Sequence, residues 1–308
     1  MKNTMINHDN SIFGGVWPAM FSPVDADGKL VPGELEKLIE MLIAEGVDGL
    51  YLLGSTGQGF LFNEQQRKEI AALALEINNK RLPVMVQVGA LSTDESVRLA
   101  KHAAQHGADG ISSVGPIYYA ASAAMGIAHY TKIAGATDLP FFPYQIGNAI
   151  MNDEMVKQLM QIPNIRGLKL TTANLLDISS IYHKSVGTWK LFSGADELLC
   201  QAAMCGTAGA IGTTYNLAGS TCKYVRQEFL NGNVTLGIAF MLYLQNLIEK
   251  IIPVIWPFFN RAMQLKYGIT IGDPKAPLLA PALPWSDDEI LAMVNGLDDF
   301  KNKVKPNL

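Results

Sequence analysis

The 308-residue chain predicts a (β/α)8 barrel, the TIM-barrel architecture, followed by a C-terminal helical extension. Three observations predict it. Eight short apolar runs rich in β-branched and aromatic residues recur along the chain, helix-length segments fill most of the gaps, and no GxGxxG turn follows the first run. Eight strand–helix units in roughly 220 residues suit a closed parallel barrel. An open doubly wound sheet usually has fewer strands and carries that glycine fingerprint.

The first four runs are Gly15-Val-Trp-Pro-Ala-Met-Phe21, Gly49-Leu-Tyr-Leu-Leu53, Pro83-Val-Met-Val-Gln-Val88 and Gly110-Ile-Ser-Ser-Val114. The next four are Pro140-Phe-Phe-Pro-Tyr-Gln-Ile146, Gly167-Leu-Lys-Leu-Thr171, Trp189-Lys-Leu-Phe-Ser193 and Gly209-Ala-Ile-Gly-Thr-Thr214. Between the first two, Glu34 to Ile43 places apolar residues at helical spacing and stops at Gly46. Thr93-Asp-Glu-Ser96 precedes a helix that ends in His102-Ala-Ala-Gln-His-Gly107. Beyond the eighth run the chain is mostly helical, broken by Gly268-Ile-Thr-Ile-Gly-Asp-Pro-Lys-Ala-Pro277. The expected division is a barrel over 14–230 and an extension over 231–308, packed as one unit.

Composition narrows the function. An apolar content of 49% supplies a full core, and a net charge of −4 gives neither a nucleic-acid footprint nor a polybasic membrane patch. Cys200, Cys205 and Cys222 are odd in number, match no zinc spacing and read as ordinary thiols in a reducing compartment. Met1 to Asn10 has no apolar signal-peptide core. The most apolar helix, around Leu236 to Ile255, is interrupted by Gln245, Asn246, Glu249, Lys250 and Pro253, which argues against a membrane span. A soluble cytoplasmic protein is expected. His102 and His106 lie at i,i+4 without a carboxylate to complete a metal motif, and Asp25-Ala-Asp-Gly28 reads as a turn. No metal and no cofactor are expected.

In such a barrel, chemistry sits at the carboxyl ends of the strands. Lys169 is the foremost residue there, because an ammonium is costly to bury on an apolar strand and a desolvated amine is a nucleophile. Thr171 shares its strand face, and on the preceding strand Tyr144 shares a face with Phe142 and Ile146. Gly54-Ser-Thr-Gly57, after the second strand, offers backbone N–H groups and the hydroxyls of Ser55 and Thr56 to a carboxylate or phosphate. Gly194-Ala-Asp-Glu197 and Gly212-Thr-Thr-Tyr-Asn216 follow the last two strands and suit a polyhydroxylated ligand. Each feature has an ordinary reading alone: a strand-end lysine, a core tyrosine, a βα turn, a helix cap. Together at five strand ends they point to lysine chemistry.

At these residues the chain resembles the N-acetylneuraminate lyase and dihydrodipicolinate synthase family of class I aldolases, from about Gly14 to about Pro284. The resemblance implies that Lys169 forms the Schiff base, that Tyr144 is the catalytic tyrosine, and that Ser55, Thr56 and Gly57 belong to a pyruvate-carboxylate loop. It implies that Tyr118, in Gly115-Pro-Ile-Tyr-Tyr119, reaches across a dimer interface and, with Thr56, aids the catalytic Tyr144 in moving protons. It also implies that Thr171, Gly194, Asp196, Glu197, Gly212 and Thr213 receive a sugar tail, as in the lyase branch. The synthase branch has an arginine where this chain has Ala149. Gly147 replaces a proline, Gln58 a glutamate and Thr213 a serine of the family pattern. The implied partners are a 2-keto acid held as a pyruvate adduct on Lys169 and further copies of the chain, typically as a tetramer.

The function expected is therefore cofactor-free cleavage of N-acetylneuraminate to N-acetylmannosamine and pyruvate. A 2-keto-3-deoxy sugar acid aldolase keeps the mechanism and changes the aldehyde. A non-catalytic or regulatory 2-keto acid binder is the rival from another class. A phosphosugar enzyme ranks last, because Asp196 and Glu197 would repel the phosphate.

Overall fold

The computed structural model describes residues 10–119, 122–146 and 153–302. The eight runs form strands β1 (Gly15–Pro18), β2 (Leu50–Leu52), β3 (Val84–Gln87), β4 (Gly110–Val114), β5 (Phe141–Ile146), β6 (Gly167–Thr171), β7 (Lys190–Ser193) and β8 (Gly209–Gly212). All paired neighbours are parallel, in the order β1-β8-β7-β6-β5-β4-β3-β2. The remaining seam, β1 to β2, closes through a bridge between Ala19 and Tyr51. There the Met20 N–H donates to the Tyr51 carbonyl at 2.9 Å and the Asp48 N–H to the Val16 carbonyl at 3.0 Å. The predicted barrel is thus present.

Around it lie α1 (Pro32–Glu45), α2 (Glu64–Asn78), α3 (Thr93–Gln105), α4 (Ala123–Ala134), α5 (Asp153–Leu159), α6 (Leu175–Lys184), α7 (Leu199–Met204) and α8 (Tyr215–Leu230). The C-terminal helices are α9 (Val234–Ile251), α10 (Ile255–Tyr267) and α11 (Asp287–Asn302). Helix α1 stops where Gly46 turns left-handed at φ 71°. Helix α2 opens with a capping box between Asn63 and Gln66. Ser92 caps α3, so Thr93 to Ser96 form its first turn rather than a lead-in.

Strand alternation sorts the apolar residues into two cores. Phe13, Trp17, Ala19, Tyr51, Met85, Phe142, Phe192 and Ile211 fill the barrel, while residues such as Val16, Leu52, Val86, Phe141, Leu168 and Leu170 face the helices. Several runs outlast their strands. Met20 and Phe21 leave β1 yet stay buried, because Phe21 packs on Trp256 and Phe259 of α10.

The stretch Val234–Tyr267 is long and apolar enough, by length and composition alone, to cross a membrane. Here a 3-10 turn over Ile252–Val254 interrupts it, and Phe240, Met241, Leu244 and Leu247 are buried in the fold. The three cysteines are free thiols, Cys200 and Cys222 buried. His102 and His106 stack on each other near the end of α3, with ring centroids 3.9 Å apart. Asp25 closes its turn by accepting from the Asp27 and Lys29 amides.

Candidate active site

Lys169 lies on the inward face of β6, in register with Tyr144 of β5 and Phe192 of β7. It is buried, with Nζ 4.2 Å from the Tyr144 ring centroid and 4.3 Å from that of Tyr51. No ion pair to Lys169 forms among the described residues. Burial pulls its ammonium from the usual 10.5 down to about 7, against the opposing pull of Asp196. A substantial share of the amine is therefore neutral near pH 7. The two ring faces beside the amine offer its lone pair no hydrogen-bond donor.

The neighbours are hydroxyls. The Tyr144 hydroxyl is 3.1 Å from Thr171 Oγ1. Burial pushes the Tyr144 phenol up, and hydrogen bonds with Thr171 and Ser55 pull it back. Thr56 Oγ1 is 2.7 Å from Thr213 Oγ1, which joins the β2 and β8 loops across the closing seam. Gly194 belongs here for steric reasons: a Cβ at this position would collide with Thr171 Oγ1 and lie 3.1 Å from Lys169 Cε.

The loop after β2 is shaped by two left-handed residues, Leu53 (φ 59°) and Gln58 (φ 52°). The Gly59 N–H donates to the Gly54 carbonyl and the Gln58 N–H to the Ser55 carbonyl. Ser22, buried beneath, donates to the Gly57 carbonyl at 2.9 Å. Gln58 does not face the site as a lost acid. Its Oε1 accepts the Lys275 backbone N–H at 2.6 Å, clamping the loop to the C-terminal extension. The Lys275 side chain continues the clamp, donating to the Gly28 carbonyl at 2.8 Å.

Asp196 is buried in a 3-10 turn after β7. Its Oδ2 accepts the Thr214 backbone N–H at 2.7 Å and the Thr214 hydroxyl at 2.8 Å, while Oδ1 fills the space a Cβ at Gly212 would need. Burial raises its carboxyl to about 6, opposed by the Thr214 hydrogen bonds. Lys169, Tyr144, Thr171, Ser55, Thr56, Thr213, Gly194, Gly212 and Asp196 thus converge on one end of the barrel.

Two expected residues stand apart. Glu197 is exposed, and its carbonyl accepts from Gln245 of α9 at 2.7 Å. Tyr118 is 81% exposed and packs edge-on against Tyr119. Gly147 and Ala149 lie outside the described residues. Residue reasoning missed Tyr51, which reads as one more apolar strand residue, and Thr214, hidden behind the more obvious Thr213.

The sequence matches the Dihydrodipicolinate synthetase family over residues 12–297. The chain belongs to that family. Its members include a 4-hydroxy-tetrahydrodipicolinate synthase 2 of Halalkalibacterium halodurans, 31% identical over 87% of this chain and 93% of that protein. An N-acetylneuraminate lyase of Citrobacter koseri is 30% identical over 78% of this chain and 81% of its own length. Among solved structures, wild-type Ruminococcus gnavus sialic acid aldolase has the same fold, with a TM-score of 0.88 at 24% identity over 95% of this chain and 99% of that one. The Mycoplasma synoviae N-acetylneuraminate lyase matches with a TM-score of 0.82 at 25% identity, over 94% and 98%. Family membership makes the chain a lyase of the class I aldolase type, and relatives from its two branches are equally close.

Proposed function

We propose that the protein cleaves N-acetylneuraminate reversibly to N-acetylmannosamine and pyruvate through a Schiff base on Lys169. The observation that carries this reading is the buried Lys169 amine, held between two aromatic rings without an ion-pair partner among the described residues and free to lose its proton near pH 7. Its lone pair attacks the C2 ketone, and loss of water leaves an iminium. That cation accepts the electron pair of the breaking C3–C4 bond. Tyr144, bridged to Thr171, moves protons to and from the reacting oxygens. Ser55, Thr56 and Gly57 hold the carboxylate.

Asp196 Oδ1, Thr171, Gly194, Gly212 and Thr213 receive the hydroxylated tail, with Glu197 at the rim. A buried carboxylate suits hydroxyls and opposes a second carboxylate, which favours the lyase over the synthase. A 2-keto-3-deoxy sugar acid aldolase is the second reading, since the same hydroxyl-rich pocket suits it. The protein acts as a homo-oligomer, a tetramer by the family habit, in which the exposed Tyr118 ring of one copy completes a neighbouring site. It works in the cytoplasm.

Borohydride reduction in the presence of pyruvate tests the chemistry. The wild-type protein gains one covalent pyruvate adduct and Lys169→Ala gains none; an adduct on the mutant removes the proposal. A panel of 2-keto sugar acids assayed for pyruvate release separates the two substrates. No turnover of any of them returns the choice to a binding protein.

A further inference from the structure

Thr214 departs from a local rule. It occupies the N-cap of α8, where a threonine hydroxyl ordinarily accepts a first-turn amide. Asn63, Ser92, Ser122, Asn174 and Asn233 all do this for α2, α3, α4, α6 and α9. Thr214 does not: its backbone is itself helical at φ −65°, ψ −20°, the turn it opens kinks at Ala218, and its side chain makes no cap bond. The hydroxyl goes to Asp196 instead, beside the Thr214 N–H on the same oxygen. Helix α8 forgoes a cap, and a carboxylate 18 residues earlier gains two donors. Local preferences that yield in this way tend to do so at functional sites.

The consequence for Asp196 is a fixed orientation. Oδ2 is occupied by both donors, and Oδ1 is seated against the Cα of Gly212. We infer that Thr214 is a positioning residue: by holding Oδ2 it fixes the Asp196 charge near Lys169 and so sets the pH at which the Lys169 amine can attack. The inference rests on the Schiff-base reading of Lys169.

The charged and titratable surroundings are consistent with it. Lys169 on β6 faces Tyr51 of β2, Tyr144 of β5 and, through space, Asp196. Asp196 faces Lys169, its neighbour Glu197, Tyr144, and Tyr215 and Cys222 of α8. Hydrogen bonds to the charged form favour it, so losing the Thr214 hydroxyl raises the Asp196 carboxyl further. The carboxylate is then neutral over more of the pH range and supports the Lys169 ammonium less. The free amine appears at lower pH.

The test is the rate of borohydride trapping of pyruvate as a function of pH, on the full-length protein. Thr214→Val and Thr214→Ala remove the hydroxyl, and Thr214→Ser keeps it. The valine and alanine variants are expected to move the acid limb down by about half a pH unit or more, while serine matches wild type. Asp196→Asn moves the limb in the same direction, and adding Thr214→Val to it moves nothing more. A wild-type protein that traps no pyruvate overturns the Schiff-base reading and this inference with it. If wild type traps, the inference alone falls when the valine and alanine profiles superimpose on wild type, or when Thr214→Val shifts the Asp196→Asn protein equally.

Discussion

Replacing Lys169 with methionine should make the protein more stable while abolishing its chemistry. The side chains are similar in length, and a thioether suits a slot between two aromatic rings. Holding the amine at about 7 instead of 10.5 costs the fold on the order of 5 kcal/mol at low pH, at about 1.4 kcal/mol per pH unit. The sign follows from proton binding. Between pH 7 and 10.5 the unfolded chain binds the proton and the folded chain does not, so wild-type stability rises with pH across that window. Below pH 7 the full cost remains; above 10.5 it is gone. Asp196, raised to about 6, is half protonated at pH 6 and is not left as a bare buried charge when the lysine goes. At pH 6 the methionine variant should melt higher by roughly 5–10 °C, and the difference should shrink towards pH 10. Thermal melts of the two proteins from pH 6 to 10 decide it. A methionine variant that melts at or below wild type at pH 6, or a pH-independent difference, refutes the account of a desolvated amine.

Other substitutions probe the same site. Tyr144→Phe removes the hydroxyl bonded to Thr171 but keeps the ring beside Lys169, so pyruvate trapping should persist while turnover falls by about 10²–10⁴-fold; steady-state kinetics beside mass spectrometry of the adduct separate the two. Gly212→Ala drives a Cβ into Asp196 Oδ1 and forces that carboxylate to move. Its KM for the sugar acid should rise about tenfold or more, the equivalent of about 1.4 kcal/mol, with pyruvate trapping retained; an unchanged KM would show that Asp196 does not contact the tail.

Much of this was legible in the sequence because a barrel writes its inside and outside into alternate residues. Phe142 and Tyr144 share a face, as do Lys169 and Thr171, by strand period alone, and the structure places them on the inward side. Boundaries were less legible. The first run extends through Phe21, but its strand ends at Pro18, since burial under α10 keeps the loop as apolar as the strand. Partnerships across the chain were not legible at all. Nothing near Thr214 announces that its hydroxyl serves Asp196, and nothing near Tyr51 says that its ring walls the lysine. Gln58 reads locally as a missing acid, yet its carbonyl oxygen supplies the acceptor that Lys275 needs.

That clamp dates the active site within the life of the chain. Gln58 and Lys275 are 217 residues apart, with every barrel strand between the second and the last in the interval. A growing polypeptide that has already emitted all eight strands still lacks one of the groups that pin the loop after β2. The β2 loop therefore gains this tether late in synthesis, and a nascent chain with a finished barrel still has that contact to make.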